Sequence, residues 1–188
     1  MQTAFEMTTG LPLLRLTRRQ YEQMAEAGVF DPDVRVELLN GLVVPMTPQG
    51  FQHSSAIIRL TEILILQCHG IARVAPQVPF AASDDSEPEP DLYVYPLDEG
   101  VDRHPERALL VVEVAASSLR KDRLVKSAIY ARANVAEYWI VDVNTQVVEV
   151  YSEPMGDHYG RSWVARKGDR IELLALPGKS VAVAEVFG

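Results

Sequence analysis

Two acids carry the most chemical content in this chain. Asp91 follows Pro90 in "EPEPDLYVYP", and Glu113 stands inside the branched aliphatic run "LLVVEVAASS". Both fall on segments that read as neighbouring strands. Carboxylates converging from adjacent strands offer the oxygen ligands that Mg2+ or Mn2+ prefers. A buried carboxylate without such a partner becomes protonated or destabilises the fold, so Glu113 needs an explanation.

A lysine beside a metal-bound phosphate can orient the attacking water or offset developing negative charge. The segment after Glu113, "LRKDRLVKSAIYARA", supplies Lys121 and Lys126. Asp122, Lys126 and Tyr130 recur at four-residue intervals and therefore share one helix face. Each of these residues also has a plainer reading. Asp91 suits a strand-end carboxylate after proline, and Glu113 a structural acid paired with an arginine from the next helix. Asp122 and Lys126 suit an exposed ion pair, and Tyr130 a packed aromatic with its hydroxyl at the rim. The basic cluster Arg120, Lys121, Arg123, Lys126 and Arg132 is either a solvated helix face or a phosphate contact surface. In the second case, binding would weaken steeply with salt.

The elements that must position these residues follow from periodicity and punctuation. Thr17 followed by "RRQYEQMAEAG" predicts a capped helix that stops at Gly28. "RVELLNGLVVPM" predicts two strands about the turn Asn40-Gly41. From His53, the apolar positions Ile57, Leu60 and Leu64 recur at helical spacing, and Gly70 closes that helix. "ARVAPQVPFAA" and "DLYVYP" read as strands around the acidic linker "SDDSEPEP". "ALLVVEVA" reads as a central strand with both faces covered. Ser117 or Ser118 then caps a helix whose buried stripe is Leu124, Ala128 and Ala131. "EYWIVDV" is a further core strand, with Tyr138 and Trp139 expected in the core or at a subunit interface. The remainder reads as more strands closing on "VAEVF", a turn or short helix. The order across His53 to Val143 is that of an α/β protein with a mixed sheet.

The totals agree with one domain over residues 1–188: the chain is 47% hydrophobic, enough for a sizeable core. A net charge of -8 argues against coating nucleic acid through bulk charge. The single cysteine, Cys68, cannot form an internal disulfide, and its neighbour His69 is too isolated for a tetrahedral metal site. A reducing, cytoplasmic setting is the expectation. "MQTAFEMTTGLPLL" has no basic leader or long apolar core, so no signal peptide is expected. "SSAIIRLTEILILQ" is interrupted by Arg59 and Glu62 and is too short to span a bilayer.

"VELLNGLVVPMTP" with His53 after it, "EPDLYVYP", "LLVVEVAASS", "KDRLVKSAIYARANVAEYWIVDV" and "VAEVF" together, in this order and spacing, resemble the Uma-two family of the PD-(D/E)XK nuclease superfamily. The resemblance implies a restriction-endonuclease-like core: a central mixed β-sheet flanked by helices, with an N-terminal helix and hairpin and additional C-terminal strands. It implies that Asp91 and Glu113 bind Mg2+ (or Mn2+) together with the backbone carbonyl of Val114. The superfamily lysine stands two residues after the glutamate, where this chain has Ala115. In this family that lysine has moved to the following helix, which makes Lys126 the candidate and Lys121 the reserve. Glu37 and His53 match further recurrent polar positions of the family, which implies Glu37 as a third metal-site carboxylate or the holder of a water, and His53 as a residue lining the cleft from a helix N-terminus. The implied activity is metal-dependent endonucleolytic hydrolysis of DNA phosphodiester bonds, by a homodimer. Ala115 and the negative net charge motivate the alternative of a catalytically inactive nuclease-fold binding or oligomeric scaffold protein. A third reading is a metal-dependent hydrolase of a small phosphorylated compound.

Overall fold

Runs of branched aliphatic residues build the centre of the molecule. Its computed structural model describes Gly10 and residues 12–188, so most of the N-terminal stretch read for a leader lies outside the described residues. Strands β5 (Leu110–Ala115) and β6 (Glu137–Asp142) are buried along their whole length. That is the pattern of central strands covered on both faces. They are flanked by β3 (Ala72–Pro76) and β4 (Leu92–Pro96) on one side. On the other lie β7 (Val147–Met155) and β8 (His158–Ala165). The six form one sheet in the order β3-β4-β5-β6-β7-β8. Only β5 and β6 pair in parallel; the other neighbours are antiparallel. A parallel pair needs a crossover, and the helical segment between β5 and β6 supplies it.

One sheet face is closed by a long helix, α2 (Phe51–Cys68), with the preceding helix α1 spanning Arg18–Glu26. Ala56, Ile57, Leu60, Leu64 and Cys68 of α2 pack with Leu92, Val112, Val114 and Trp139. The same cluster includes residues of a second small sheet, β9 (Arg170–Glu172) with β10 (Ser180–Ala182), and of the C-terminal helix. The opposite face gathers Tyr93, Val111, Ala115, Ile129, Tyr130, Tyr138 and Ile140. Its cover is the hairpin β1 (Val36–Leu39) and β2 (Leu42–Pro45), together with the crossover. That crossover starts as α3 (Leu119–Lys121), passes through a π-helical turn (Asp122–Lys126) and continues as α4 (Ser127–Arg132). The "VAEVF" segment is helical, α5 (Val183–Phe187).

The local signals at the N-terminal end act as predicted. Thr17 and Gln20 form a reciprocal capping box on α1. Asn40 (φ 51) and Gly41 (φ 78) are both left-handed, as a two-residue hairpin turn requires. Gly41 has a second reason to lack a side chain, because a Cβ there would lie 2.6 Å from the Cβ of Arg15.

Three expectations need correction. The strand predicted through "ARVAPQVPFAA" stops at Pro76, because Gln77 adopts φ 53 and turns the chain out of the sheet. Ser118 sits at the N-cap of α3, but neither predicted serine caps it by a side-chain bond; the Ser118 hydroxyl donates to Asp122 instead. The buried stripe is not Leu124, Ala128 and Ala131. Leu124 is 63% exposed and only Ala131 of the three is buried, whereas Asp122, Lys126, Ile129 and Tyr130 face inward. The sheet face beneath presents Glu113, so the inward helix face is the one that answers a charge. Among the described residues no helix is long and apolar enough to cross a membrane.

The hairpin turn tests how tightly this face is specified. Gly41→Ala should lower stability by about 1–3 kcal/mol in urea unfolding, through left-handed strain and the clash with Arg15. An unchanged midpoint would show that the turn relaxes freely.

Candidate active site

Sheet register alone brings the two acids together. β4 pairs with β5 antiparallel, with Leu92 opposite Val112 and Tyr93 opposite Val111. One further step of that register sets Asp91 opposite Glu113. Directly opposed residues have Cβ atoms about 4.5–5.5 Å apart on one face. Asp91 Oδ2 accepts the backbone N–H of Val114 at 2.7 Å, which ties the start of β4 to the end of β5. His53, in the first turn of α2, places Nε2 3.1 Å from the same oxygen. Its other ring nitrogen, Nδ1, is buried with no hydrogen-bond partner among the described residues.

Glu113 lies on the face of β5 that the crossover covers, and two side chains from that crossover reach it. Lys126 Nζ donates to Glu113 Oε1 at 2.8 Å, and the Tyr130 hydroxyl donates to the same atom at 2.5 Å. Lys126, only 2% exposed, is shared with a second acid: its Nζ lies 2.9 Å from Glu37 Oε2. Glu37 is buried on β1, and its Oε1 accepts from Lys121 Nζ at 2.7 Å. The backbone N–H of Glu89 adds a longer bond to Glu37 Oε2 at 3.3 Å. Asp122, also buried, accepts from the Ser118 hydroxyl at 2.5 Å. The exposed-pair reading of Asp122 and Lys126, the rim position for Tyr130 and an arginine partner for Glu113 are thus all replaced by a buried network. Tyr138 and Trp139 are fully buried in the core.

A small cleft of about 50 Å3 joins these groups, lined by His53, Glu89, Asp91, Glu113, Val114, Ser118, Lys121, Asp122 and Lys126. The sequence reading did not place Glu89 or Ser118 in this lining. Glu89, paired with Arg35, precedes Asp91 by two positions in "EPEPD" and was hidden in an acidic linker. Ser118 was read only as a cap. Of the basic cluster, Arg123 pairs with Glu149, and Arg132 bonds Asn40. Arg120 stays exposed beside Lys121 in a wider groove of about 760 Å3 that also takes in Thr47, Ser117 and Ser118.

Electrostatics explain why the network holds. Burial penalises the charge on Lys126, but Glu113, Glu37 and Asp122 outweigh it and keep the ammonium protonated. Burial also opposes ionisation of Glu37, yet the Lys126 and Lys121 ammonium groups prevail and hold its carboxyl below the usual glutamate value. Glu113 goes the other way. Full burial pushes it up to about 8; Lys126 pulls it down, while the charges of Asp122, Asp91 and Glu37 add to the rise. Asp122 is raised chiefly by burial.

Four carboxyl groups face two ammonium groups in this cluster, a formal excess of two negative charges when all are ionised. That imbalance, and the all-oxygen character of Asp91 and Glu113, fit a hard divalent cation, which binds through one or two carboxylates and otherwise through water and phosphate. The sole group of three His, Cys, Asp or Glu side chains with mutually close ligand atoms among the described residues lies elsewhere, at Glu22, Glu87 and His104.

Glu37 offers a pH test. Because its folded value is lowered, its contribution to stability is present above the unfolded value near 4.5 and is lost as pH falls through the lower folded value. Glu37→Gln should therefore cost about 3–5 kcal/mol at pH 7, the cost of breaking a buried pair, and the deficit should shrink in acid. A deficit constant with pH in denaturant titrations would show that charge is not its source.

The family model Uma2, described as "Putative restriction endonuclease", matches residues 18–184. No curated protein matches the chain. Among solved structures, the chain is similar to a "putative nuclease" belonging to DUF820 from Anabaena variabilis ATCC 29413, determined at 1.96 Å. The two share 15% sequence identity with a TM-score of 0.67, over 86% of this chain and 94% of that one. Such a likeness establishes the shared mixed-sheet fold. With nearly its whole length matched by the family model, the chain belongs to the Uma2 family.

Proposed function

We propose that the protein is a nuclease that hydrolyses DNA phosphodiester bonds with Mg2+ or Mn2+ at the Asp91–Glu113 cleft, and that it acts as a homodimer. The observation that carries this reading is the buried network in which two opposed carboxylates and a protonated lysine line one cleft. Family membership and the nuclease-titled structural relative support it.

Asp91 and Glu113 would hold the cation, with Val114 as a backbone ligand. The bound ion would polarise the scissile phosphate and lower the pKa of a coordinated water. The chain's own residues do the positioning. His53 and the Val114 N–H fix the Asp91 carboxylate, and Tyr130 fixes that of Glu113. Lys126 is held protonated, so it acts as a positive charge that orients water and offsets charge on the phosphate rather than as a base. Glu37 aims it from the opposite side. The groove beside the cleft, with Arg120 exposed on its wall, is the path proposed for the nucleic-acid backbone.

The test is cleavage of single- and double-stranded DNA with Mg2+ or Mn2+. Wild type should cut, Asp91→Ala should abolish cutting, and Lys126→Met should slow it by about 10²–10³-fold, with folding checked by circular dichroism. An inert wild type, or an Asp91→Ala variant that cuts equally well, sinks the proposal and leaves the non-catalytic scaffold. Light scattering that shows a monomer at assay concentration removes the dimer. Arg120→Ala should weaken DNA binding and make its salt dependence shallower by about one phosphate contact.

A further inference from the structure

A second group of ligating side chains meets on the other side of the segment that carries Glu89 and Asp91. Glu22 comes from α1, Glu87 from the stretch before β4, and His104 from the loop before β5. One ligand atom from each lies within 4.8 Å of the others. Three chain segments distant in sequence thus bring two carboxylates and an imidazole to one point.

Glu87 is the anchor and the anomaly. It is 2% exposed, and its backbone exchanges both hydrogen bonds with Leu38 of β1, which fixes its position. Its Oε1 meets Nδ1 of His104, while its Oε2 is buried with no hydrogen-bond partner among the described residues. A buried carboxylate oxygen without a partner is costly and calls for a cation or a proton. Burial raises the Glu87 carboxyl above its usual range, partly opposed by His104. The neighbouring cation, Arg18, approaches Glu22 no closer than 3.9 Å and spends its guanidinium on Glu106. A cavity of about 720 Å3 opens over the three residues, with Glu26 and Asp102 on its wall against the single guanidinium of Arg103.

We propose that Glu22, Glu87 and His104 form a site for a divalent cation of the zinc class, which pins α1 to the chain segment paired with β1. The imidazole selects zinc-like ions over Mg2+, and a set of two carboxylates and one histidine leaves a coordination position open to water from the cavity. Tetrahedral bonds of about 2.1 Å set ligand atoms about 3.4 Å apart. His104 Nδ1 already touches Glu87 Oε1 and all three ligand atoms lie within 4.8 Å, so side-chain rotation of Glu22 and His104 about the fixed Glu87 is enough to set that spacing. This site uses none of the side chains assigned to phosphodiester hydrolysis, so it stands or falls independently of that activity.

The test is calorimetric titration of the full chain with ZnCl2, paired with thermal melts. Wild type should bind one Zn2+ in a step that survives Asp91→Ala but weakens at least tenfold in His104→Asn and in Glu22→Gln, the expected size for loss of a ligand. Saturating Zn2+ should raise the Tm of wild type and Asp91→Ala by several degrees and leave His104→Asn unmoved. Each variant is compared with its own apo melt, because His104 is the partner of buried Glu87 Oε1 and its replacement lowers the apo Tm by itself. No Zn2+ step in wild type overturns the proposal. So does a step that vanishes in Asp91→Ala and is indifferent to His104→Asn.

Discussion

An ammonium group buried as deeply as that of Lys126 survives only if carboxylates bracket it. Removing a lysine charge from water costs several kcal/mol even after the protein relaxes, and a single neighbour rarely repays it. Lys126 has two, Glu113 on a central strand of the main sheet and Glu37 on the outlying hairpin. The ammonium is therefore a tie between two separate sheets. It also sets the roll of the crossover segment, because no rotation that buried Leu124 could keep Nζ between those acids. The π-helical turn at Asp122–Lys126 belongs to the same constraint: one wider turn brings Lys126 and, four residues on, Tyr130 onto the same carboxylate oxygen.

The contrast with Glu137 shows that burial of an acid does not by itself mark a site. Glu137 begins the next strand and is equally buried, but its two oxygens accept the Trp139 indole N–H at 2.8 Å and the Leu174 backbone N–H at 3.0 Å. Neutral donors satisfy both of its oxygens. Glu113 instead concentrates an ammonium and a phenol on one oxygen while three further acids raise the local negative potential. A structural acid is surrounded by donors; this one sits in a charge network with a negative surplus. That surplus is met either by protons, as the raised Glu113 and Asp122 carboxyls allow, or by a cation.

The strands and the carboxylate pair were legible because their signals are local and strict. The run around Glu113 could only be a central strand, and Asp91 beside Pro90 could only start one; pairing register then placed them opposite. The turn at Asn40-Gly41 and the capping box of Thr17 were likewise written within four residues. The crossover was misread because a helical wheel ranks faces by hydrophobicity, and here the inward face is chosen by Glu113. Leu124 pointing outward follows from a residue on another element, which no window of local sequence contains. Glu87 and His104 were missed for the same reason: their meeting depends on three segments folded past one another.

Ala115 is the position at which the site's architecture becomes intelligible. It lies on the same strand face as Glu113 and is fully buried in the cluster that contains Ile129 and Tyr130 of α4. A long side chain there would hold the crossover away from the sheet, and Tyr130 could not then reach Glu113. A methyl group lets α4 settle close, and that approach carries Lys126 to the carboxylate from above. The ammonium is thus supplied from the layer over the strand because the strand keeps a small residue where that layer must land. A lysine introduced by Ala115→Lys would not duplicate the placement of Lys126; it would expel the segment that delivers it.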